Sequence, residues 1–294
     1  MSRPTILLTG AGGQLGFELA RSLAHHGEVI ALNRAALDLA DTDAIVATVR
    51  QARPDLIVNA AAYTAVDLAE SESAAAFAVN ARAPRILAEE AKRSGAVLIH
   101  YSTDYVFDGR RTTPYEEDAP TGPINVYGAS KCEGESAIGQ SGARALVFRT
   151  SWVYGARGRN FLLTLLRLAQ ERDELRIVAD QSGTPNWCRT LSEATAAAVA
   201  HGLPWLAERS GLYHLTSAGV TTWHGFAKAI IGDAPLPRVV PIATSEYPTP
   251  ARRPAYGAMS ARRFEATFAY EMPDWQHELA ACLSEMRAAP MKVD

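Results

Sequence analysis

The chain has 294 residues, 48% of them hydrophobic and 21% charged, which is enough for one large α/β domain, or a main domain with a smaller partner, to bury a core without covalent staples. The net charge of -3, with no long run of either sign, excludes a nucleic-acid groove and a polybasic membrane patch, and leaves a small molecule as the natural partner. Cys132, Cys188 and Cys282 are odd in number and never spaced Cys-x-x-Cys, which argues against a disulfide framework or structural zinc and fits a reducing cytoplasm.

Thr5 to Leu8 reads as a strand that runs into Gly10-Ala11-Gly12-Gly13-Gln14-Leu15-Gly16, with a helix from Gln14 to Ala24. Glycines at Gly10, Gly13 and Gly16 suit a sharp turn, a pyrophosphate approaching the backbone and a helix packed closely on its strand; the helix amino terminus then faces the negative charge. The spacing is Gly-x-x-Gly-x-x-Gly, and an ordinary strand-helix turn is the competing reading. Val29 to Leu32 forms the second strand, followed by Asn33 and Arg34 where an NAD site places a carboxylate against the ribose diol. A guanidinium favours a 2′-phosphate, so NADPH is expected, with NADH a weaker cofactor; the alternative is an Arg34 that simply faces solvent. Asp38 and Leu39 lie within reach of the adenine, unless Asp38 only caps the next helix, Thr42 to Gln51.

Leu56 to Asn59 is the third strand, and the small residues after it leave room for a dinucleotide, placing Ala62, Tyr63 and Thr64 beside it. A helix follows from Ala74 to Lys92, and Val97 to Ser102 and Ala145 to Thr150 continue the series. Short apolar strands separated by helices specify βαβ units and right-handed crossovers, hence an α/β doubly wound parallel sheet of Rossmann type. Beyond Thr150 come a helix from about Asn160 to Gln170, a turn-rich patch from Asp180 to Asn186 and an alanine-rich helix from Leu191 to Ala200. Pro235, Pro237, Pro241, Pro248, Pro250 and Pro254 then argue against regular core in that segment. The expected division is a dinucleotide-binding domain of residues 1–150 plus about 187–218, with a smaller interleaved lobe of about 151–186 plus 219–294. Pro290 to Asp294 reads as a frayed tail. No segment reaches membrane-spanning length, the start does not resemble a signal peptide, and the scattered histidines give no metal-ligand spacing.

Chemistry concentrates in two places. His100-Tyr101-Ser102-Thr103-Asp104 closes a strand at the carboxyl edge of the sheet, where open α/β folds work on ligands. Tyr127 and Lys131 are one helical turn apart on one face, so an ammonium can stand beside a phenol. A phenol titrates near ~10 and a positive neighbour makes it the readier acid. Tyr127 is therefore the expected proton donor to a reduced carbonyl, Thr103 a hydrogen-bond donor to the developing oxyanion, and Lys131 the charge that also grips the nicotinamide ribose. Asn125 or a neighbour starts that helix, and Gly128 beside Tyr127 is consistent with close approach by a cofactor. Asn160 and the Arg252-Arg253 pair are candidates for a nucleotide diphosphate, although a solvated turn suits the arginines equally. Trp152 just past a strand end serves either substrate or lobe packing.

These motifs, with Asn59 to Asp67, Glu70, Glu72, Phe148 to Tyr154, Asp180 to Pro185 and Tyr247 to Pro254, resemble those of the extended short-chain dehydrogenase/reductases, and within them the branch that reduces a dTDP-4-keto-deoxysugar. The resemblance covers Ile6 to about Leu283 and implies conversion of dTDP-4-dehydro-6-deoxy-L-mannose to dTDP-L-rhamnose for surface polysaccharide. It implies Tyr127 as proton donor, Lys131 as its partner and cofactor ligand, Thr103 as the tuning hydroxyl, and Asp104 and Trp152 as sugar contacts. It also sets Gly13, Gln14, Leu15, Asp38, Leu39, Ala62, Tyr63 and Thr64 against the dinucleotide. Some relatives are magnesium-linked dimers held by carboxylates; here Arg189 stands where such a relative carries a glutamate, so no metal is expected and a homodimer needs another link. Asn33 replaces an aspartate of relatives that accept NADH. The superfamily leaves two alternatives: another nucleotide-sugar reductase or epimerase, and a non-catalytic NADP-binding regulatory subunit of the methionine adenosyltransferase type.

Overall fold

The computed structural model describes residues 3–232 and 235–288; the expected tail lies outside them. In chain order the elements are β1 (Thr5–Thr9), α1 (Gln14–Leu23), β2 (Glu28–Leu32), α2 (Thr42–Ala52), β3 (Leu56–Asn59), α3 (Val66–Ala69), α4 (Ser73–Phe77), α5 (Ala83–Ser94), β4 (Val97–Thr103), α6 (Val126–Ser141) and β5 (Arg144–Thr150). The second half adds β6 (Val153–Tyr154), α7 (Phe161–Glu171), β7 (Glu174–Val178), β8 (Ser182–Gly183), β9 (Asn186–Trp187), α8 (Cys188–Ala200), α9 (Leu203–Glu208), β10 (Gly211–His214), β11 (Thr221–Thr222), α10 (Trp223–Ile231), β12 (Arg238–Ile242), α11 (Arg262–Phe268) and α12 (Trp275–Ala288).

Six strands form one parallel sheet in the order β10-β5-β4-β3-β1-β2. Its central strands are nearly continuous apolar runs because helices cover both faces. Strand alternation divides them between two cores. Ile6, Leu8, Val58, Ile99 and Phe148 face the α1 and α8 side, whereas Leu7, Ile57, Leu98 and Val147 face α2 and α5. The order reverses between β1 and β3, and the turns after β1, β3 and β4 meet at the carboxyl edge beside that point.

Two expectations change. The helix expected from Ala74 to Lys92 is interrupted: a π-helical turn at Ala78–Arg82 separates α4 from α5, and the whole ends at Gly95 with φ 81°. The proline-rich segment is not wholly irregular, since β12 pairs in parallel with β7 straight through Pro241. Arg238 N bonds to Asp173 O, so the alternating donors of β12 face β7 at 238, 240 and 242 and Pro241 lacks its N–H on the open edge. The two-stranded sheets β12-β7, β11-β8 and β6-β9 lie with α7 and α10 beside the large sheet. One apolar core runs from Ile6 and Leu191 through Phe148 to Phe226 and Trp275, joining the two halves of the chain.

Candidate active site

The opening turn is built for backbone proximity. Gly10 has φ 77°, and a Cβ there would stand 2.6 Å from Ala61 N; a Cβ on Gly16 would stand 2.1 Å from Gly10 O. Gly13 N donates to Gly10 O, and no side chain caps α1, so its first N–H groups are open to a phosphate. That cradle fits a dinucleotide pyrophosphate. Gln14 and Leu15 start the helix; Leu15 enters the core and Gln14 Nε2 donates to Val153 O at 3.0 Å. At the end of β2, Asn33 Oδ1 accepts from Ala36 N and the Arg34 side chain is 86% exposed, 3.9 Å from Asp38. The cap of α2 is Asp41, not Asp38, which binds Ala40 N; Leu39 is buried.

Ala62, Tyr63 and Thr64 form the turn after β3. Asn80, inside the π-helical turn, holds that turn from both sides: its Oδ1 accepts from Tyr63 N at 2.8 Å and its Nδ2 donates to Tyr63 O and to Ser130 Oγ at 3.0 Å. No motif marks Asn80; its signal in the sequence is a single amide in an alanine-rich run.

The strand end and α6 converge on the edge of the sheet. Asn125 caps α6, its Oδ1 accepting from Gly128 N at 2.7 Å. A Cβ on Gly128 would lie 2.2 Å from Tyr105 O, so this glycine serves close packing of α6 on the turn after β4; the expectation of cofactor approach is replaced by a backbone contact. The Tyr127 ring is edge-on to Tyr105 at 5.5 Å. Desolvation raises the Tyr127 phenol to about 12, against the Thr103 hydroxyl beside it, which lowers it, and the Asp104 charge, which raises it further. Thr103 Oγ1 donates to Asp104 Oδ1 at 3.0 Å and accepts from Tyr105 N. Burial lifts the Asp104 carboxyl to about 7. Gly257 makes room for it, since a Cβ there would be 2.4 Å from Asp104 Oδ2.

Lys131 takes a position the spacing alone does not reveal. Its Nζ donates to Tyr101 O at 2.5 Å and lies 3.2 Å from His100 Nε2, and no hydrogen bond joins it to the Tyr127 oxygen among the described residues. Burial lowers it to about 8, opposed by Glu135. His100 in turn meets Asn59 Nδ2, and Asn59 Oδ1 binds Ala61 N, the residue against Gly10. The lysine and the opening turn are thus a few hydrogen bonds apart.

The second half of the chain brings further groups to this edge. Trp152 has φ 42°, left-handed for a bulky residue, and stacks on Trp223 at 3.6 Å while its indole covers Gly183. Both of its alternatives, packing and a face for substrate, fit that position. Arg253 Nη2 binds Asp67 Oδ2 at 2.8 Å and its buried Nη1 has no partner among the described residues, while Arg252 is exposed and its carbonyl accepts from Asn125. Asn160 caps α7, and its Nδ2 spans Gln14 Oε1, Gly155 O and Arg157 O, so its amide is committed to the loop beside the opening turn. Away from the site, Arg189 lies between Glu18 and Glu285, its Nε 3.2 Å from Glu18 and its Nη2 2.8 Å from Glu285. A guanidinium neutralises that carboxylate pair from within the chain, and the described residues contain no group of three or more His, Cys, Asp or Glu able to hold a metal.

A doubly wound sheet, a glycine cradle at its first turn and a Thr-Tyr-Lys set at its carboxyl edge define a nicotinamide-dependent oxidoreductase of the extended short-chain class. The family model for the RmlD substrate binding domain matches residues 4–288. A dTDP-4-dehydrorhamnose reductase of Burkholderia thailandensis is 51% identical over 96% of this chain and 98% of its own, and that of Escherichia coli is 43% identical over 96% and 97%. The chain belongs to the dTDP-4-dehydrorhamnose reductase family. A crystal structure of such a reductase from Bacillus anthracis, in complex with NADP, superposes with a TM-score of 0.89 at 35% identity, covering 97% of this chain and 100% of that one. A Thermus thermophilus UDP-glucose 4-epimerase shares the fold at 22% identity, with a TM-score of 0.78 over 97% of this chain and 100% of that one.

Proposed function

We propose that this protein reduces the C4 ketone of dTDP-4-dehydro-6-deoxy-L-mannose to dTDP-L-rhamnose at the expense of NADPH, with Tyr127 as the proton donor. The observation that carries it is the Tyr127 phenol beside Thr103 at the carboxyl edge of β4, in a chain 51% identical to a reductase of that name. Gly10, Gly13 and Gly16 would hold the dinucleotide by its pyrophosphate, and its reduced nicotinamide would supply the hydride. Thr103 turns its proton from Asp104 to the carbonyl oxygen, Tyr127 passes its proton to that oxygen as charge develops, and Lys131 would hold the ribose and replenish the phenol.

Burial of Tyr127 keeps the phenol protonated at neutral pH, which is the form the reduction needs. Arg34 at the end of β2 supports preference for the 2′-phosphate, since an exposed guanidinium is free to meet it and only a 3.9 Å contact to Asp38 competes. Arg253, tethered by Asp67 with one nitrogen left over, is the better placed of the two arginines for the diphosphate. Asp104 and the Trp152 indole are proposed for the sugar. Cytoplasmic residence and a homodimer belong to the same reading; no helix among the described residues is long and apolar enough to cross a membrane.

The test is direct. Purified protein with NADPH and the 4-keto-L-sugar nucleotide should consume cofactor stoichiometrically with product, identified as the rhamnosyl nucleotide. An epimerase would regenerate its cofactor, and a regulatory subunit would bind NADP without turnover; either result removes the proposal.

A further inference from the structure

Asp67 and Glu70 stand at α3 and just past its end, and each reaches a different part of the site. Asp67 Oδ1 accepts from Ala251 N at 3.1 Å, and its Oδ2 from Arg253 Nη2 at 2.8 Å. Glu70 Oε1 accepts from Val126 N at 2.9 Å, on the residue before Tyr127. Asn125 Nδ2 closes the circuit by donating to Arg252 O at 2.8 Å. The turn of α3, the 251–253 segment and the start of α6 thus hold one another in pairs. Tyr105 stands against two of them, its ring edge-on to Tyr127 and 6.0 Å from Arg253 Cζ.

Each contact answers a local need. An asparagine cap serves N–H groups two or three residues on, and Asn125 binds Gly128 N, so the first N–H of α6 must find an acceptor elsewhere. Glu70 supplies it, with a charge that suits the positive end of the helix. Arg253 spends one nitrogen on Asp67, while its buried Nη1 has no partner among the described residues. That leaves a donor for an anion. The stretch carrying both carboxylates is itself held at three points: Asn80 grips the Tyr63 backbone, the Tyr63 hydroxyl donates to Glu72 Oε2 at 2.8 Å, and Ala69 is fully buried. The two carboxylates therefore move as one.

We infer that Asp67 and Glu70 are positioning residues for the reduction: the single turn that carries them sets the guanidinium of Arg253 at a fixed separation from the first turn of α6, and so from the Tyr127 phenol. The inference rests on the roles proposed for Arg253 and Tyr127. A sugar nucleotide seated by its diphosphate at one end of this brace presents its ketone to the phenol at the other. Binding energy from the distant diphosphate is in this way spent on alignment of the reacting carbonyl. Each carboxylate serves one end, so the two can be loosened separately.

The test uses protein saturated with NADP, so that added dTDP reads the substrate end alone. Asp67→Ala should raise the dTDP dissociation constant about 10-fold by calorimetry, as expected for loss of a charge-assisted hydrogen bond that orients the guanidinium, with KM for NADPH unchanged. Glu70→Ala should bind dTDP as the parent does and lower kcat about 5-fold or more with the 4-keto sugar nucleotide. Glu70→Gln keeps an oxygen for Val126 N and should restore most of that rate. A merely structural contact would move neither the split between binding and turnover nor the rescue. Unchanged or tighter dTDP binding in Asp67→Ala overturns the inference, since the carboxylate would then only compete for the guanidinium. A parent kcat in Glu70→Ala, or a loss that glutamine does not repair, overturns it equally. A parent protein whose dTDP binding depends on Asp67 but which leaves the ketone unreduced removes the functional reading instead.

Discussion

At the level of single residues, burial governs the reacting groups more than pairing does. Desolvation holds the Tyr127 phenol at about 12 and brings Lys131 down to about 8, so the donor is fully protonated at neutral pH and its partner exchanges protons close to it. Tyr127→Phe keeps the ring that packs on Tyr105 and removes only the hydroxyl. It should lower kcat by roughly 100-fold or more with unchanged thermal stability, measured by steady-state assay and calorimetry. A normal rate would reject the assignment. Arg34 offers a second check. Removing its charge-assisted bonds to a 2′-phosphate, worth about 1.5 to 3 kcal/mol, should lower kcat/KM for NADPH roughly 10- to 100-fold while leaving NADH untouched. Equal losses with both cofactors would show that Arg34 does not read the phosphate.

Whole elements show why some of this site was visible beforehand and some was not. The strand-turn-helix unit β1-α1 was legible because three glycines in register have a backbone reason: at Gly10 and Gly16 a single methyl group would run into main-chain atoms. The caps Asn125 and Asn160 were legible as helix starts for the same kind of local reason, each side chain binding an N–H three residues on. Other features depend on the partner across space. Gly128 looked like a concession to cofactor, yet its neighbour is the Tyr105 carbonyl, which lies 23 residues back in sequence. The π-helical turn carrying Asn80 adds one residue to a helical turn without altering composition, so no periodicity announces it. Lys131 shares a face with Tyr127 as spacing requires, but only the position of β4 decides that its nitrogen turns to a carbonyl. Gly128→Ala tests the packing argument at this scale. Forcing a methyl toward an oxygen 2.2 Å away should shift α6, cost about 1 to 3 kcal/mol in denaturant unfolding and reduce kcat, since Tyr127 rides on the same turn. Unaltered stability would mean that the turn after β4 yields freely.

Over the whole molecule, the second half of the chain is folded back into the first. The strand β10 extends the large sheet beside β5, α8 covers the same face as α1, and α12 reaches β9, so the core on that face is shared by both halves, while the buried core on the α2 and α5 face comes from the first half alone. Where these pieces meet lies a buried carboxyl. Glu278 Oε2 accepts from Ser217 Oγ at 2.7 Å and from Trp187 N at 3.3 Å, while Oε1 and the nearby Tyr154 hydroxyl have no partners among the described residues. Burial lifts this carboxyl from 4.5 to about 7, against the Ser217 hydrogen bond, which pulls it down.

Because the folded protein holds that proton more tightly than the unfolded chain, the stabilisation is complete below about 4.5 and is lost as pH rises through about 7. Asp104, raised to about 7, acts in the same sense, whereas His214, held neutral by burial and down at about 3, makes the fold less stable as pH falls below 6.5. The parent stability curve therefore mixes opposing slopes, and the informative quantity is a difference. Glu278→Gln keeps an acceptor for Ser217 and removes the titration. Against the parent it should be nearly neutral below pH 4.5 and gain steadily to roughly 3 kcal/mol above pH 7, measured by urea unfolding at matched ionic strength. A difference that does not vary with pH would mean that water reaches the carboxylate, and that the seam between the two halves opens more readily than its packing implies.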